Sequence, residues 1–454
     1  TSDKTYVNLS CRHILILGNQ DLNMSTNDLL HNRYKAIMAP YLNPLYTSPV
    51  SIDRGQGSYV WDVEDNQYLD FFGGVLTTMI GHNNPAVTEA IQSQAAKVLH
   101  TSTLYLSEPM IEFAEEIGAA SGIPDARVFF TTSGSEANDT ALMLATSFRN
   151  SNEILAMRHS YHGRTFATQA VTSQSTWLSS RISGLSVNYV QGPYRLRSPF
   201  ENMTDEEFTK ACVLDLQQIL DTATTGNVAC LIFEPIQGVG GFAIPPDGFF
   251  GEMNKVLSNY GTLLISDEVQ TGWGRTGDHF WGYEAHGIIP DMLTFAKGVG
   301  NGATLAGVIA RAEIMENITA LNFSTFGGNP LSCAAGLATF KELINQNMLQ
   351  NASEMGSRLM QGLQPTVDKA PWLKIRGRGL MVALEAVRTE HDNTFEPYPQ
   401  RASELLEACK QNGLLLGKGG AFGNVIRITP MLNVTPNEID EGINILNEAI
   451  LSCN

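Results

Sequence analysis

Lys297, in Thr294-Phe-Ala-Lys-Gly-Val-Gly-Asn-Gly302, follows thirty residues behind Asp267 in Ile265-Ser-Asp-Glu-Val-Gln-Thr-Gly272. A lysine amine forms a Schiff base with an aldehyde, and a buried carboxylate keeps a pyridine nitrogen protonated so that the ring accepts electrons. Pyridoxal 5'-phosphate (PLP) chemistry needs both groups, which makes Lys297 and Asp267 the candidate catalytic pair. Alone the pair is weak, because a lysine behind a short apolar run is more often a solvated loop residue.

Other residue types fit the same chemistry. Thr132-Ser-Gly-Ser-Glu-Ala-Asn138 follows an apolar run and opens the helical pattern Ala141-Leu-Met-Leu-Ala145. Small residues let backbone N–H groups close on a phosphate, and a helix N-terminus favours negative charge, so Gly134 and Ser135 are candidate phosphate ligands. An ordinary helix start capped by Ser133 or Ser135 reads from the same letters. Tyr161, in Ser160-Tyr-His-Gly-Arg164, can stack on a pyridine ring, and Arg164 can hold a carboxylate through two parallel hydrogen bonds. The competing reading is a core aromatic beside a surface arginine. His162 is expected to be structural, since a Schiff-base lysine already supplies the acid/base group. Asp267 and Glu268 are adjacent on an extended segment and point to opposite faces. Asp267 is assigned to the ring, with Val269 packing on it from the same side and Gln270 near its phenolic oxygen.

The elements that must position these residues alternate along the middle of the chain. Seven short apolar runs read as strands: Arg127–Phe130, Glu153–Met157, Ser186–Val190, Val228–Phe233, Thr262–Ser266, Met292–Ala296 and Ala306–Ala310. Interspersed helical patterns make this an α/β fold with a mostly parallel seven-stranded sheet covered on both faces. The polar clusters at 132–135, 161–164, 234–238 and 267–270, together with Lys297, all sit just past strand ends, where open α/β sheets bind ligands. Chance convergence of five such clusters is far less probable than any one alone. A smaller α+β domain is expected from both chain ends: strands at Gly57–Val63 and Gln67–Phe72, then Gly379–Leu384 and Asn424–Thr429. The boundaries are an N-terminal segment at 1–80, a large PLP-binding domain at 81–335 and a C-terminal small domain at 336–454. Residues 1–28 carry no clear periodicity, and there is no internal repeat.

Bulk properties narrow the function classes. The chain of 454 residues is 43% hydrophobic and 17% charged with a net charge of −17. That acidic balance argues against nucleic acid and against an anionic membrane surface. Six cysteines lie far apart without Cys-x-x-Cys pairs, so neither a metal site nor a disulfide framework is expected, and a reduced, cytoplasmic setting fits. The longest early apolar run, Ile14–Leu17, is too short for a signal or membrane segment.

Taken together, Gly-Ser-Glu-Ala-Asn, Tyr-His-Gly-Arg-Thr, Glu-Pro-Ile-Gln-Gly, Asp-Glu-Val-Gln-Thr-Gly, Ala-Lys-Gly and Thr325-Phe-Gly-Gly-Asn-Pro330 resemble the class III aminotransferases from about residue 35 to 450. Asp70-Phe-Phe-Gly-Gly-Val75, Gly81-His82 and His279-Phe-Trp-Gly-Tyr283 look most like the alanine–glyoxylate aminotransferase 2 branch. The resemblance implies a fold-type I PLP transferase that acts as a homodimer with shared active sites. Within it, Thr325 would reach the partner's cofactor phosphate, Glu234 would support the site near the ring, and Arg427 would bind the substrate α-carboxylate. Tyr46, Val75 and Ser102 would shape the pocket. An amino donor and an α-keto acid acceptor would react in ping-pong fashion. One departure stands out: ornithine and 4-aminobutyrate aminotransferases carry a glutamate after the Glu-Pro-Ile/Val-Gln motif, where this chain has Val239. Pyruvate or glyoxylate is therefore the favoured acceptor. A lyase acting on phosphorylated amines, for which Arg195 and Arg197 are the nearest spare cations, and a cofactor-binding protein without turnover are the alternatives.

Overall fold

The computed structural model describes residues 24–180, 182–388 and 395–453; Ile14–Leu17 and Cys11 lie outside them. Near the N-terminus, β1 (Ile52–Gln56), β2 (Tyr59–Asp62) and β3 (Gln67–Asp70) form an antiparallel meander. Next come β4 (Ala126–Thr131), β5 (Glu153–Met157), β6 (Ser186–Val190), β7 (Cys230–Phe233), β8 (Leu263–Asp267), β9 (Met292–Phe295) and β10 (Ala306–Arg311). These seven make one sheet in the order β4-β10-β9-β8-β7-β5-β6, in which only β10 runs against its neighbours. All seven expected strands are present.

Both faces of this sheet are covered, which is why its strands read as unbroken apolar runs. Leu155, Met157, Leu231, Phe233, Leu293 and Phe295 face one core, while Ile154, Ala156, Cys230, Ile232, Ile265 and Met292 face the other. Packed on the second face, helix Gly134–Arg149 runs over β9 and β10. Alternation along each strand thus fixes which side every residue serves.

The chain ends come together. β11 (Leu373–Arg378), β12 (Met381–Arg388), β13 (Glu396–Pro397), β15 (Gly417–Gly419) and β16 (Val425–Ile428) form the second sheet, and β14 (Leu414–Leu415) adds to the N-terminal meander in parallel with β3. The expected strand at Gly379–Leu384 begins later, at Met381, because Gly379, at φ +52°, forms the β11–β12 turn. Position 336 falls inside helix Pro330–Asn345, which packs on helices Pro85–Ala95 and Glu108–Ala120; no break in the fold occurs there. Residues 26–28, read as aperiodic, open helix Thr26–Ile37, whose residues are all at least partly exposed and so leave no apolar stripe to read.

Candidate active site

The C-terminal ends of β4, β5, β7, β8 and β9 surround one cavity of about 390 Å³. Its walls include Gly134, Ser135, Tyr161, Arg164, Glu234, Asp267, Val269, Gln270 and Lys297. All five polar clusters expected from sequence therefore meet at one place.

Asp267 ends β8 and is buried. Its Oδ2 accepts from Asn138 Nδ2 at 2.7 Å and lies 2.8 Å from His162 Nδ1, while Oδ1 accepts from the Val269 N–H at 3.2 Å. Asn138 is itself oriented, donating to the His162 carbonyl at 2.8 Å and accepting from Thr294 Oγ1 at 2.6 Å. These contacts fix the orientation of the carboxylate. Glu268 points the other way, as the alternation requires. It is fully buried and receives Ser266 Oγ, Thr271 Oγ1 and the N–H groups of Gly282 and Tyr283; burial pushes its carboxyl up to about 7. Glu268 therefore ties the strand end to the following loop and does not line the cavity.

Glu234, at the end of β7, accepts from the Tyr161 N–H at 2.9 Å and the Gly238 N–H at 2.8 Å. Burial raises its pKa, opposed by His162. One carboxylate thus joins the loops that follow β5 and β7. The Tyr161 ring sits edge-on to Trp177, 5.3 Å between centroids.

Lys297 follows β9 in the left-handed region at φ +54°, a conformation that non-glycine residues hold only where the surroundings enforce it. Asn301 supplies part of that enforcement, accepting from the Ile80 N–H and donating to the Gly81 carbonyl, both at 2.9 Å. Burial lowers the Lys297 amine to about 8, aided by the charge of Arg427 and opposed by Asp267 and Glu234.

Ser133 is the N-cap of helix Gly134–Arg149: its side chain accepts from the Glu136 N–H. The N–H groups of Gly134 and Ser135 occupy the first turn, where no intrahelical acceptor exists. Ser135 Oγ accepts from the Arg164 N–H at 3.1 Å, so its own O–H remains to donate. The helix is thus capped by Ser133, and its first-turn residues Gly134 and Ser135 line the cavity. Room is made by Gly163, where a Cβ would stand 2.5 Å from Ser135 Oγ, and by Gly238, where one would stand 2.2 Å from Gln270 Nε2.

Arg427 lies on β16, with its Cζ 5.4 Å from the ring centroid of Phe72 and 5.8 Å from that of Phe242. It is buried, its Nε and Nη1 have no hydrogen-bond partner among the described residues, and burial lowers it to about 10. A buried guanidinium without a carboxylate is costly unless an anion is bound there. Val239 is buried close by: a Cβ added at Gly419 would lie 3.0 Å from Arg427 Nε and 3.3 Å from the Val239 carbonyl oxygen.

Five expected residues stand outside the cavity lining: Arg427, whose place on β16 is given above, and Tyr46, Val75, Ser102 and Thr325. Tyr46 is buried, and its hydroxyl both donates to the Leu416 carbonyl at 3.1 Å and accepts from the Leu416 N–H at 2.8 Å; it is a structural tie, not a pocket wall. Val75 and Ser102 both have positive φ, and Val75 is exposed. Thr325 is exposed and is not part of its own chain's cavity lining. Conversely, the cavity also contains Thr77, Thr132 and the segment Gly302–Leu305, and Asn138 and Thr294 orient its carboxylate. Asn138 belongs to the motif Gly-Ser-Glu-Ala-Asn; its role needs the contact with Asp267 to be seen.

The buried orphan atoms suit PLP and its amino-acid substrates: His162 Nε2, Gln270 Oε1 and the Arg427 nitrogens have no partner among the described residues. Comparison with known proteins agrees. The family model of class III aminotransferases matches residues 41–450. An alanine–glyoxylate aminotransferase 2 homologue named as mitochondrial, from Arabidopsis thaliana, is 37% identical over 91% of this chain and 85% of its own. Among solved structures, a thermostable (S)-enantioselective omega-transaminase from Thermomicrobium roseum superposes with TM-score 0.85 and 31% identity, covering 94% of this chain and 99% of its own. A phospholyase from Arthrobacter in complex with phosphoethanolamine does so with TM-score 0.85 and 28% identity, covering 93% and 99%. The chain belongs to the class III aminotransferases and is a PLP-dependent aminotransferase of fold type I.

Proposed function

We propose that the protein moves an amino group from an amine or amino acid to an α-keto acid, with pyruvate or glyoxylate favoured, the two substrates reacting in turn at one site. The observation that carries this reading is Arg427, a buried cation with two unpartnered nitrogens, near enough to Lys297 to lower its basicity. In relatives that carry a glutamate at the place of Val239, such an arginine has a partner to leave. Here a small carboxylate meets it directly, which favours short keto acids.

PLP supplies an electron sink for the charge left on the substrate carbon. In this reading the Gly134 and Ser135 N–H groups would hold its phosphate, Tyr161 and Val269 would pack on its ring, and Gln270 would meet its phenolic oxygen. Asp267 would pair with the ring nitrogen. Lys297 Nζ takes the proton from the substrate carbon, a step suited to an amine with pKa near 8. Arg164, exposed at the rim, meets an approaching carboxylate. Such alternation gives ping-pong kinetics.

A homodimer with shared sites is supported by the surface around Thr325. Phe326 is 60% exposed, with its ring tilted against that of His100 at 4.8 Å, and Leu104, Tyr105 and Leu106, a few residues on from His100, are 63%, 70% and 90% exposed. Exposed large apolar groups of this kind suit a protein interface, and Thr325 is the neighbour of Phe326 in sequence. A reducing compartment such as the cytoplasm suits Cys212, Cys230, Cys333, Cys409 and Cys453, all buried and free.

The lyase alternative needs cations for a second phosphate. Arg195 is paired with Asp205 and lies over Phe208, and Arg197 is paired with Glu385 and Tyr194, which disfavours it. The test is to add a panel of amines to the holoenzyme without acceptor and follow the cofactor's visible band. Bleaching reversed by pyruvate or glyoxylate supports the proposal. Acceptance of 2-oxoglutarate with refusal of pyruvate and glyoxylate would overturn the acceptor assignment, and product release without any acceptor would establish a lyase.

A further inference from the structure

Four successive residues, Gly73, Gly74, Val75 and Leu76, have φ of +56°, +58°, +69° and +63°. For L-residues the left-handed region is normally visited singly, so a whole left-handed turn containing Val and Leu is held by its surroundings. The Asp70 carboxylate is the main holder. It is 6% exposed; Oδ1 accepts from the N–H groups of Phe72 and Gly73, both at 2.9 Å, and Oδ2 lies 2.9 Å from His82 Nε2. His82 is fixed in turn by backbone bonds to and from Gly57 at 2.8 and 2.9 Å. Thr77 Oγ1 closes the turn on the Gly74 carbonyl at 2.8 Å.

This turn touches three parts of the active site. At its start, Phe72 lies under the Arg427 guanidinium, and the neighbouring Phe71 carbonyl accepts from the Thr429 N–H at 2.7 Å, just past Arg427. At its end, Thr77 forms cavity wall. The Leu76 carbonyl would lie 3.1 Å from a Cβ at Gly298, next to Lys297. The same backbone therefore sets how far the arginine stands from the amine.

We propose that Asp70 is a positioning residue for substrate carboxylate recognition: by holding the left-handed turn Gly73–Leu76 it places Phe72 beneath Arg427 and fixes Arg427 relative to Lys297. This rests on the assignment of Arg427 to the substrate carboxylate. Its signature is selectivity, because a shifted Arg427 weakens carboxylates while leaving carbonyl compounds without one unaffected.

The experiment uses the holoenzyme and its Asp70→Ala, Asp70→Asn, Gly74→Ala and Arg427→Lys variants. Each is titrated with propanoate, a carboxylate that cannot react, by following the cofactor's visible band. Each is also converted to the pyridoxamine form and reacted in single turnover with pyruvate and with acetaldehyde. Asp70→Ala is expected to raise the propanoate dissociation constant and the half-saturating pyruvate concentration tenfold or more, with less than a twofold change for acetaldehyde. Asp70→Asn keeps an oxygen for Phe72 and Gly73 and is expected to restore most of that loss. Should Asp70→Ala not fold, Gly74→Ala carries the test: its Cβ would stand 2.7 Å from Thr77 Oγ1 and is expected to raise the same two quantities at least threefold. Equal losses with pyruvate and acetaldehyde, or none with either, in variants where Arg427→Lys does impair pyruvate, would overturn the proposal alone. If Arg427→Lys has no effect or the wild type refuses pyruvate, the functional assignment falls and this proposal falls with it.

Discussion

His162 Nδ1 lies 2.8 Å from Asp267 Oδ2, the same oxygen that Asn138 Nδ2 reaches at 2.7 Å. A side chain from helix Gly134–Arg149 and one from the loop after β5 thus converge on one carboxylate oxygen in a buried site. They fix the direction of the carboxylate, as its proposed role at the ring nitrogen needs.

Asp267→Asn keeps the size of the side chain and removes its charge. The chemical step is expected to slow by on the order of 100-fold or more with the fold intact, as single-turnover rates and circular dichroism would show. His162→Ala removes one donor and leaves the charge, so a smaller loss, about tenfold, is expected. If the two variants lose rate equally, Asp267 does not act through its charge.

The pH dependence of cofactor capture follows from Lys297. Only the neutral amine attacks an aldehyde, and burial brings that amine to about 8, below its ordinary value. Below this pH the amine binds a proton, so the rate at which apoenzyme takes up PLP covalently is expected to rise as pH increases through about 8 and then level off. A rise continuing to the ordinary lysine range would mean that the amine is solvated in the apoenzyme. Lys297→Ala is expected to abolish both covalent uptake and turnover.

How far the sequence led is clear from particular elements. β5, β7 and β8 were legible because both their faces are buried and every residue is apolar or nearly so. β1, Ile52–Gln56, has only one residue, Gly55, that is not exposed, so nothing in its letters distinguishes it from a loop. That Asp267 and Glu268 face opposite ways could be read from strand alternation; which of them lines the cavity could not. Tyr46 could not be placed, because its partner Leu416 is 370 positions away and leaves no local trace. The left-handed turn at 73–76 shows in sequence only as Gly-Gly; Val75 and Leu76 adopt it through Asp70, a tertiary effect.

Arg427→Ala removes the buried cation. Loss of a charge-assisted pair with a carboxylate costs about 1.5–3 kcal/mol, so the half-saturating concentration of a keto acid is expected to rise roughly 10- to 100-fold. The maximal rate with an acceptor lacking a carboxylate should change little. Because the arginine is buried and its Nε and Nη1 have no partner among the described residues, its removal is also expected to leave the melting temperature unchanged or raised; a marked fall would point to a structural role.

Gly163→Ala tests the phosphate cradle without altering any functional group. Gly163 has φ +140°, and an added Cβ would meet Ser135 Oγ at 2.5 Å, Thr168 Oγ1 at 2.8 Å and Ser135 Cα at 2.9 Å. The last contact is with backbone, so rotation of side chains cannot relieve it, and the start of helix Gly134–Arg149 must move. An overpacked site of this kind costs about 1–3 kcal/mol. The shift falls on the N–H groups assigned to the phosphate and spares Lys297. The variant is therefore expected to lose PLP on dialysis much faster than the wild type, while a reductant such as borohydride still fixes whatever cofactor remains to Lys297. Retention equal to the wild type would show that the phosphate is held elsewhere.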